Sequence, residues 1–166
     1  MTLKYYLLCI LTCLFMATNA QEKKELKAGN KSPAFTYLDI NGKEVSLKDF
    51  KGKYVYIDFW NTMCGPCRRE LPLFKELEKK MQGKKIVFVS VSSDRNRARW
   101  EKIVKEQGLG GIQLHNGGDR SFMQAYGFEK VPRFILLDKK GRIVNPDMTR
   151  PSNPETEKTL KALKGI

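Results

Sequence analysis

Two cysteines separated by two residues are the feature of this sequence best suited to chemistry. Cys64 and Cys67 enclose Gly65-Pro66 and follow a β-branched and aromatic run over residues 54–60. Two intervening residues bring the sulfurs together within one helical turn, so a disulfide forms and breaks with little backbone movement. Cys64 falls at the predicted start of a helix, where unpaired N–H groups favour an anion. We therefore expect the Cys64 thiolate to attack a substrate and form a mixed disulfide. The more shielded Cys67 is expected to resolve that mixed disulfide.

Two other uses of the pair fit the sequence less well. A static disulfide would close so small a loop that it would remove little entropy from the unfolded chain. A zinc site would need a second pair of ligands. The chain has one histidine, His115, and its other cysteines, Cys9 and Cys13, lie within the first twenty residues. We expect no metal site.

The first twenty residues predict an export signal. The chain has 166 residues, and 31 Lys and Arg against 18 Asp and Glu give a formal charge of +13. Residues 5–16 form an apolar run shorter than the ~20 residues that span a bilayer, and Ala20 suits the residue before a cleavage site. We expect residues 1–20 to be removed. A lipidated Cys13 and an uncleaved anchor are the alternatives.

The elements around the cysteine pair predict an α/β domain over residues 32–166, after a polar, flexible leader over 21–31. Strands are expected over 34–38 and 43–45 around Asn41-Gly42, and over 54–60, 86–91, 112–115, 134–137 and 142–144. Helical segments are expected over 47–50, 64–80 and 121–126. Another helix is expected to begin at an Asp94 cap and end near Gln107, and a last one to begin at Pro154. This order predicts a three-layer α/β/α sandwich around one sheet, with an N-terminal β-hairpin extension.

Three features resemble the thioredoxin superfamily: the Phe-Trp strand end, the CGPC start of the helix, and the later Val131-Pro132. The Asn41-Gly42 hairpin, residues 47–53 and residues 91–131 resemble its exported TlpA/ResA-type branch. The similarity covers residues 29–166. It implies a thioredoxin-like fold and thiol–disulfide exchange outside the cytoplasm, in the periplasm or cell envelope of a bacterium.

Two acidic residues are candidates for proton transfer. Asp58 is the only charged residue of strand 54–60, which predicts a buried carboxylate with a raised pKa. It matches the buried carboxylate of thioredoxins, which implies proton exchange with Cys67. Glu70 shares a helix face with Cys67 and resembles the active-site glutamate of the ResA-like branch. The alternatives are an aspartate exposed at a sheet edge and a solvated glutamate beside two arginines.

The resemblance also implies a substrate-binding surface. Pro132 resembles the cis-proline opposite the redox pair, and Val131 before it would offer backbone hydrogen bonds to the substrate. Trp60 is assigned to the same surface. Met63 departs from the family, because thioredoxins and many relatives carry a second tryptophan there. A soft, adaptable side chain replaces a rigid aromatic one, which leaves the substrate open.

These features together predict a monomeric thiol–disulfide oxidoreductase that needs no cofactor beyond its own dithiol. Its expected substrates are protein or small-molecule thiols and disulfides. Candidate partners are a cytochrome precursor, a misbridged envelope protein and a membrane electron donor, and the direction of electron flow stays open. The rivals are a peroxiredoxin-like peroxidase and a redox-inactive binding module. The peroxidase motif Pro-x-x-x-Thr/Ser-x-x-Cys is missing, because Ile57 stands at the position of its Pro and Asn61 at the position of its Thr or Ser.

Two further features carry less weight. Arg95, Arg97 and Arg99 are spread around a predicted helix, which favours a solvated face over a nucleic-acid site, and we expect no nucleic-acid partner. His115 is far from the cysteine pair in sequence and is expected to be structural.

Overall fold

Strand β3 (Tyr54–Trp60) lies inside a seven-stranded mixed sheet. The computed structural model describes residues 26–166, so the predicted signal, with Cys9 and Cys13, lies outside the described residues. The other strands are β1 (Thr36–Asp39), β2 (Glu44–Ser46), β4 (Ile86–Ser92), β5 (Ile112–His115), β6 (Arg133–Leu137) and β7 (Ile143–Met148). Their order across the sheet is β2-β1-β5-β4-β3-β6-β7.

The pairing explains why β3 is apolar on both faces. It runs parallel to β4, from Tyr54 opposite Ile86 to Trp60 opposite Ser92, and antiparallel to β6. The predicted hairpin forms from β1 and β2 and joins the sheet through antiparallel pairing of β1 with β5. A strand with neighbours on both sides and helices on both faces has no surface left for solvent.

Helices cover both faces of the sheet. They are α1 (Gly65–Lys80), α2 (Arg97–Glu106), α3 (Ser121–Ala125) and α4 (Pro154–Lys161), with a 3₁₀ helix at Leu47–Phe50. Tyr56 packs with Phe74 of α1 and Leu160 of α4 on one face. Phe59 stacks on Phe122 of α3 on the other, with ring centroids 5.1 Å apart. The predicted three-layer α/β/α arrangement with its N-terminal hairpin is confirmed.

The hydrogen-bonded structure of the domain begins slightly before the predicted boundary at residue 32. The N–H of Gly29 donates to the Ile143 carbonyl at 2.8 Å, and the N–H of Ile143 donates to the Asn30 carbonyl at 2.9 Å. Lys31 forms an antiparallel bridge with Arg142. The last residues of the predicted leader are therefore paired beside the start of β7. Among residues 26–166, no helix has both the length and the apolar character needed to cross a membrane.

The expected cap of α2 was wrong. Asn96 is the N-cap, and its side chain accepts a hydrogen bond from the N–H of Arg99 at 3.0 Å. The Asp94 carboxylate instead accepts from the N–H and hydroxyl of Thr62, at 2.9 and 2.7 Å, and from the Ser92 hydroxyl at 2.7 Å. Asp94 is buried. It therefore links the loop before the cysteine pair to the end of β4.

Arg97 also differs from the solvated face expected for the arginines of this segment. Its guanidinium donates to the backbone carbonyls of Asp39 and Ile40, at 2.8 and 3.4 Å, and pairs with Glu101 at 2.7 Å. It also lies over the Trp100 ring, 5.3 Å from the centroid. Arg97 therefore fastens α2 to the end of the hairpin. His115 is buried and stacks on the same Trp100 ring.

The two roles found for Asp94 and Asn96 give different stability changes. Asn96→Ala removes a helix cap and should lower the free energy of unfolding by about 1 kcal/mol. Asp94→Ala leaves three buried donors without their acceptor and should cost more, about 2–4 kcal/mol. Guanidinium denaturation of the oxidised proteins measures both, with the exposed Lys105→Ala as control. An Asp94→Ala cost no larger than that of Asn96→Ala would contradict the assigned link.

Candidate active site

The cysteine pair lies at the start of α1, as its spacing predicted. Cys64 is the N-cap and forms a disulfide with Cys67. The N–H of Cys67 points at the Cys64 sulfur, with an N–Sγ distance of 3.1 Å. Pro66 occupies the first turn, where its missing N–H costs no hydrogen bond. One helix terminus therefore presents a backbone donor to the sulfur that is nearer to solvent.

The two sulfurs have unequal surroundings. Cys64 is half-buried, whereas Cys67 is 1% exposed. Cys67 packs in an apolar cluster with Trp60, Leu71 and Trp100. A disulfide partner reaches Cys64 directly but reaches Cys67 only if the cluster opens. The geometry favours Cys64 as the attacking sulfur.

Trp60 does not form the substrate surface to which it was assigned. Its side chain is fully buried, at 0% exposure, in the cluster beneath Cys67. Side chains alternate along β3, so Trp60 points to the face that α1 and α2 cover. Trp60 therefore supports the pair from inside the domain.

Two other segments form the rim around Cys64. The Val131–Pro132 peptide bond is cis, as predicted. The Val131 carbonyl oxygen lies 3.6 Å from the Cys64 sulfur. Met63 is 75% exposed beside Cys64, and its N–H donates to the Asn61 side chain at 3.0 Å. A backbone edge and one flexible apolar side chain thus flank the accessible sulfur.

Asp58 lies inside the sheet rather than at an exposed edge. It is 1% exposed, and Ser90 on β4 donates to Oδ2 at 3.5 Å. Its other oxygen has no hydrogen-bond partner among the described residues. Burial raises the pKa of Asp58 to about 8, the Ser90 hydrogen bond opposes this rise, and the nearby Glu70 charge adds to it. Asp58 therefore holds a proton at neutral pH.

Glu70 is not a solvated surface acid. It is 6% exposed, and its two oxygens accept from Ser152, one from the N–H at 3.0 Å and one from the hydroxyl at 2.8 Å. Ser152 lies between β7 and α4, far from Glu70 in sequence. No sequence pattern indicates this contact, because Ser152 and Asn153 before Pro154 are typical of a helix start.

Tyr56 completes the polar surroundings of the two carboxyls. Its hydroxyl donates to the Thr149 carbonyl at 2.8 Å. Burial and the charges of Asp58 and Glu70 raise the pKa of Tyr56 above its usual range. The phenol therefore stays neutral. No group of three or more metal-ligating side chains occurs among residues 26–166.

Asp58, Tyr56 and Trp60 share the sheet face on which α1 packs, so the buried carboxyl and Cys67 occupy the same layer. An accessible sulfur, a shielded sulfur and a carboxyl that is protonated at neutral pH can together take up or release two electrons with a proton. The disulfide is the group that changes its oxidation state.

Comparisons with known proteins agree with this geometry. Residues 27–163 match the Redoxin family. The thiol–disulfide oxidoreductase ResA of Bacillus anthracis is 30% identical over 142 residues, 86% of this chain and 82% of that protein. A solution structure from Bacteroides vulgatus, of a protein assigned as a thiol–disulfide oxidoreductase, is 57% identical with a TM-score of 0.72 and covers 80% of this chain and 88% of its own.

A second Bacteroides vulgatus structure identifies the fold. It is the crystal structure of the thioredoxin domain of a thiol–disulfide oxidoreductase, 32% identical with a TM-score of 0.75. The likeness covers 82% of this chain and 97% of that one. The predicted thioredoxin-like fold is confirmed.

The raised pKa of Asp58 has a consequence for stability. The folded protein keeps the Asp58 proton up to about pH 8, whereas the unfolded chain loses it near 3.8. The contribution of Asp58 to the free energy of unfolding is therefore complete below pH 4 and is lost as the pH rises to 8. Between these values the free energy of unfolding falls with a limiting slope of about 1.4 kcal/mol per pH unit. Asp58→Asn should remove this slope. Guanidinium denaturation of both oxidised proteins between pH 4 and 9 measures it, and equal slopes would contradict the buried, protonated Asp58.

Proposed function

The chain belongs to the Redoxin family and is a thiol–disulfide oxidoreductase, and we propose that it exchanges electrons with protein or small-molecule disulfides outside the cytoplasm. The observation that carries the proposal is the disulfide at the start of α1, with one sulfur accessible and the other buried. Its dithiol is the active group. An assay for reduction of insulin disulfides tests the activity, and a peroxide-consumption assay tests the peroxidase alternative. Activity in neither assay would favour a binding module.

The first step is attack by Cys64. In the reduced protein its thiolate attacks one sulfur of the substrate disulfide, a mixed disulfide forms, and the other substrate sulfur leaves as a thiolate. The Cys67 N–H at 3.1 Å stabilises the Cys64 thiolate. The backbone of Val131, 3.6 Å from the sulfur, positions an extended substrate segment across it.

The second step is attack by Cys67 on the Cys64 sulfur. Cys67 gives up its proton, the Cys64–Cys67 disulfide forms, and the second substrate sulfur leaves, so the substrate gains two electrons. We assign the ionised form of Asp58, which is a minor form at neutral pH and grows as the pH rises towards 8, as the proton acceptor. With a pKa of about 8, the Asp58 carboxylate is basic enough to take a proton from a thiol. A carboxylate of ordinary pKa would accept the proton far less readily.

Glu70 acts on Asp58 in this scheme. Ser152 occupies both of its oxygens. Its charge raises the pKa of Asp58, although less than burial does. Glu70 therefore helps to keep the Asp58 pKa near that of a thiol. The reverse reaction uses the same groups, and the reduction potential decides the direction. A potential near about −270 mV is that of a reductant, and one near about −120 mV that of an oxidant.

The partners follow from the proposed location. Residues 1–20 would direct the chain to the periplasm or cell envelope, where the candidate partners are a cytochrome precursor, a misbridged protein and a membrane electron donor. Each of them would carry a suitable thiol or disulfide. Met63 and the Val131 backbone would contact the substrate. We propose a monomer, because one chain contains both cysteines and the buried carboxyl.

The unequal sulfurs predict which variant traps a substrate. Reduced Cys67→Ser should form a stable mixed disulfide with oxidised glutathione, because attack proceeds and resolution cannot. Cys64→Ser is the matched control and should trap little, since the remaining Cys67 is buried. Mass spectrometry of the intact proteins detects the adduct. Equal trapping by both variants would show that the assigned roles are wrong.

The role of Asp58 predicts a pH profile. Ellman's reagent releases one coloured thiolate on attack and a second on resolution, so stopped-flow absorbance separates the two steps. The second rate should rise with pH through about 8 and should be slow in Asp58→Asn. Ser90→Ala removes a hydrogen bond that lowers the Asp58 pKa and should move the profile to higher pH, whereas Glu70→Gln should move it to lower pH. An Asp58→Asn profile equal to the wild type would exclude Asp58 as the acceptor.

The export signal predicts the start of the mature protein. Cleavage after Ala20 removes Cys9 and Cys13 and leaves a chain that begins near Gln21. N-terminal sequencing and mass spectrometry of protein recovered from its host check this. A lipid-modified Cys13 would show a lipoprotein, and an intact Met1 an uncleaved anchor.

A further inference from the structure

The end of the sheet opposite the cysteine pair carries an apolar pocket surrounded by positive charge. The pocket has a volume of about 270 Å³, and Leu47, Phe50 and Val55 contribute its apolar wall. Four exposed lysines line it as well, and we call them the lysine rim: Lys31, Lys48, Lys51 and Lys140.

The topology gathers these lysines at one end. The parallel strands β3 and β4 both begin here, and antiparallel β6 ends here, with Leu137 opposite Val55. The N–H of Gly52 donates to the Lys139 carbonyl at 2.9 Å, which joins the segment before β3 to the turn after β6. Exposed Lys53 and Lys85 precede the two parallel strands and extend the positive surface.

The charge of the lysine rim is not neutralised locally. None of its four side chains forms an ion pair within the part of the chain that the structure describes. Asp138 also lines the pocket, but one of its oxygens accepts from the N–H groups of Lys140 and Arg142, both at 2.8 Å, and so closes the turn. Elsewhere, Lys80 and Lys161 both pair with Glu157.

We propose that the lysine rim and its pocket dock the domain on an anionic phospholipid bilayer. Clustered lysines attract lipid phosphates. Each lysine near the surface raises the affinity for an anionic bilayer roughly fivefold. The apolar wall between them suits the glycerol and first acyl groups. A phospholipid carries both chemistries, whereas an acidic polypeptide or free phosphate uses only the charges. The contact is independent of the redox reaction.

The docked domain would present its cysteine pair away from the bilayer. Strand β3 leads from the lysine rim towards Cys64, and its seven residues span about 20 Å. The paired residues 29–31 lie at the bilayer end. The catalytic sulfur therefore faces aqueous partners, while the opposite end holds the domain at the surface.

Vesicle binding tests the proposal with a chain that begins at residue 21. This chain contains the whole family match, and a relative that matches 80% of the full chain folds in solution. It should bind phosphatidylglycerol vesicles and release them in 0.5 M salt, and it should bind phosphatidylcholine vesicles weakly. Changing all four lysines of the rim to Gln should weaken phosphatidylglycerol binding by at least about 100-fold.

The control carries the same charge change elsewhere: Lys75, Arg99, Lys102 and Lys105, exposed on α1 and α2, are all changed to Gln. It should lose less than about tenfold, because these charges are distant from the rim. A cooperative guanidinium denaturation curve shows that both variants are folded. Equal losses in the two variants, or no binding to phosphatidylglycerol, would overturn the proposal.

Equally tight binding of polyglutamate through the rim would identify an acidic polypeptide instead. Displacement of the vesicles by inorganic phosphate at millimolar concentration would show a simple anion site.

Discussion

The buried carboxyl of Asp58 is the constraint around which the rest of the site is arranged. An ionised carboxylate inside a sheet, with one long hydrogen bond from Ser90 and one oxygen without a partner, would be costly. Protonation removes the cost and gives the interior a group that can return a proton near pH 8. Burial destabilises the ionised form of Asp58. It therefore also makes this carboxylate basic enough to accept a proton from the shielded Cys67 thiol.

Chain segments that are distant in sequence meet at this end of the sheet, and three features hold them in place. Asp94 fixes the loop before the cysteines through Thr62. The cis bond at Pro132 brings a backbone edge to the accessible sulfur. Ser152 holds Glu70 on α1. The redox pair is thus positioned by hydrogen bonds from loops, above an apolar floor that contains Trp60.

Local patterns were enough to predict the parts of this site that lie within one element. The apolar run of β3 located a central strand, its single charge located the buried Asp58, and the CGPC spacing located the disulfide. The family resemblance supplied the cis bond at Pro132. These features depend on neighbours in sequence, or on a backbone shape that one motif specifies.

The remaining features depend on contacts that sequence order does not reveal. Asp94 and Asn96 are both good caps, and only the position of Thr62 decides which one the helix uses. Trp60 ends a strand, and only the packing of α1 and α2 buries it. Arg97 and Ser152 lie in polar segments, and their partners belong to other elements. A residue type predicts what a side chain can bind, but the tertiary structure determines what it meets.

A carboxyl titration of Asp58 tests the account most directly. In oxidised protein with ¹³C-labelled aspartate, the cysteines do not titrate, and Asp58→Asn assigns the resonance. The Asp58 carboxyl signal should change with a pKa of about 8. A value near 4 would make the Asp58 carboxylate too weak a base to take a proton from a thiol, and it would contradict the proposed proton transfer from Cys67.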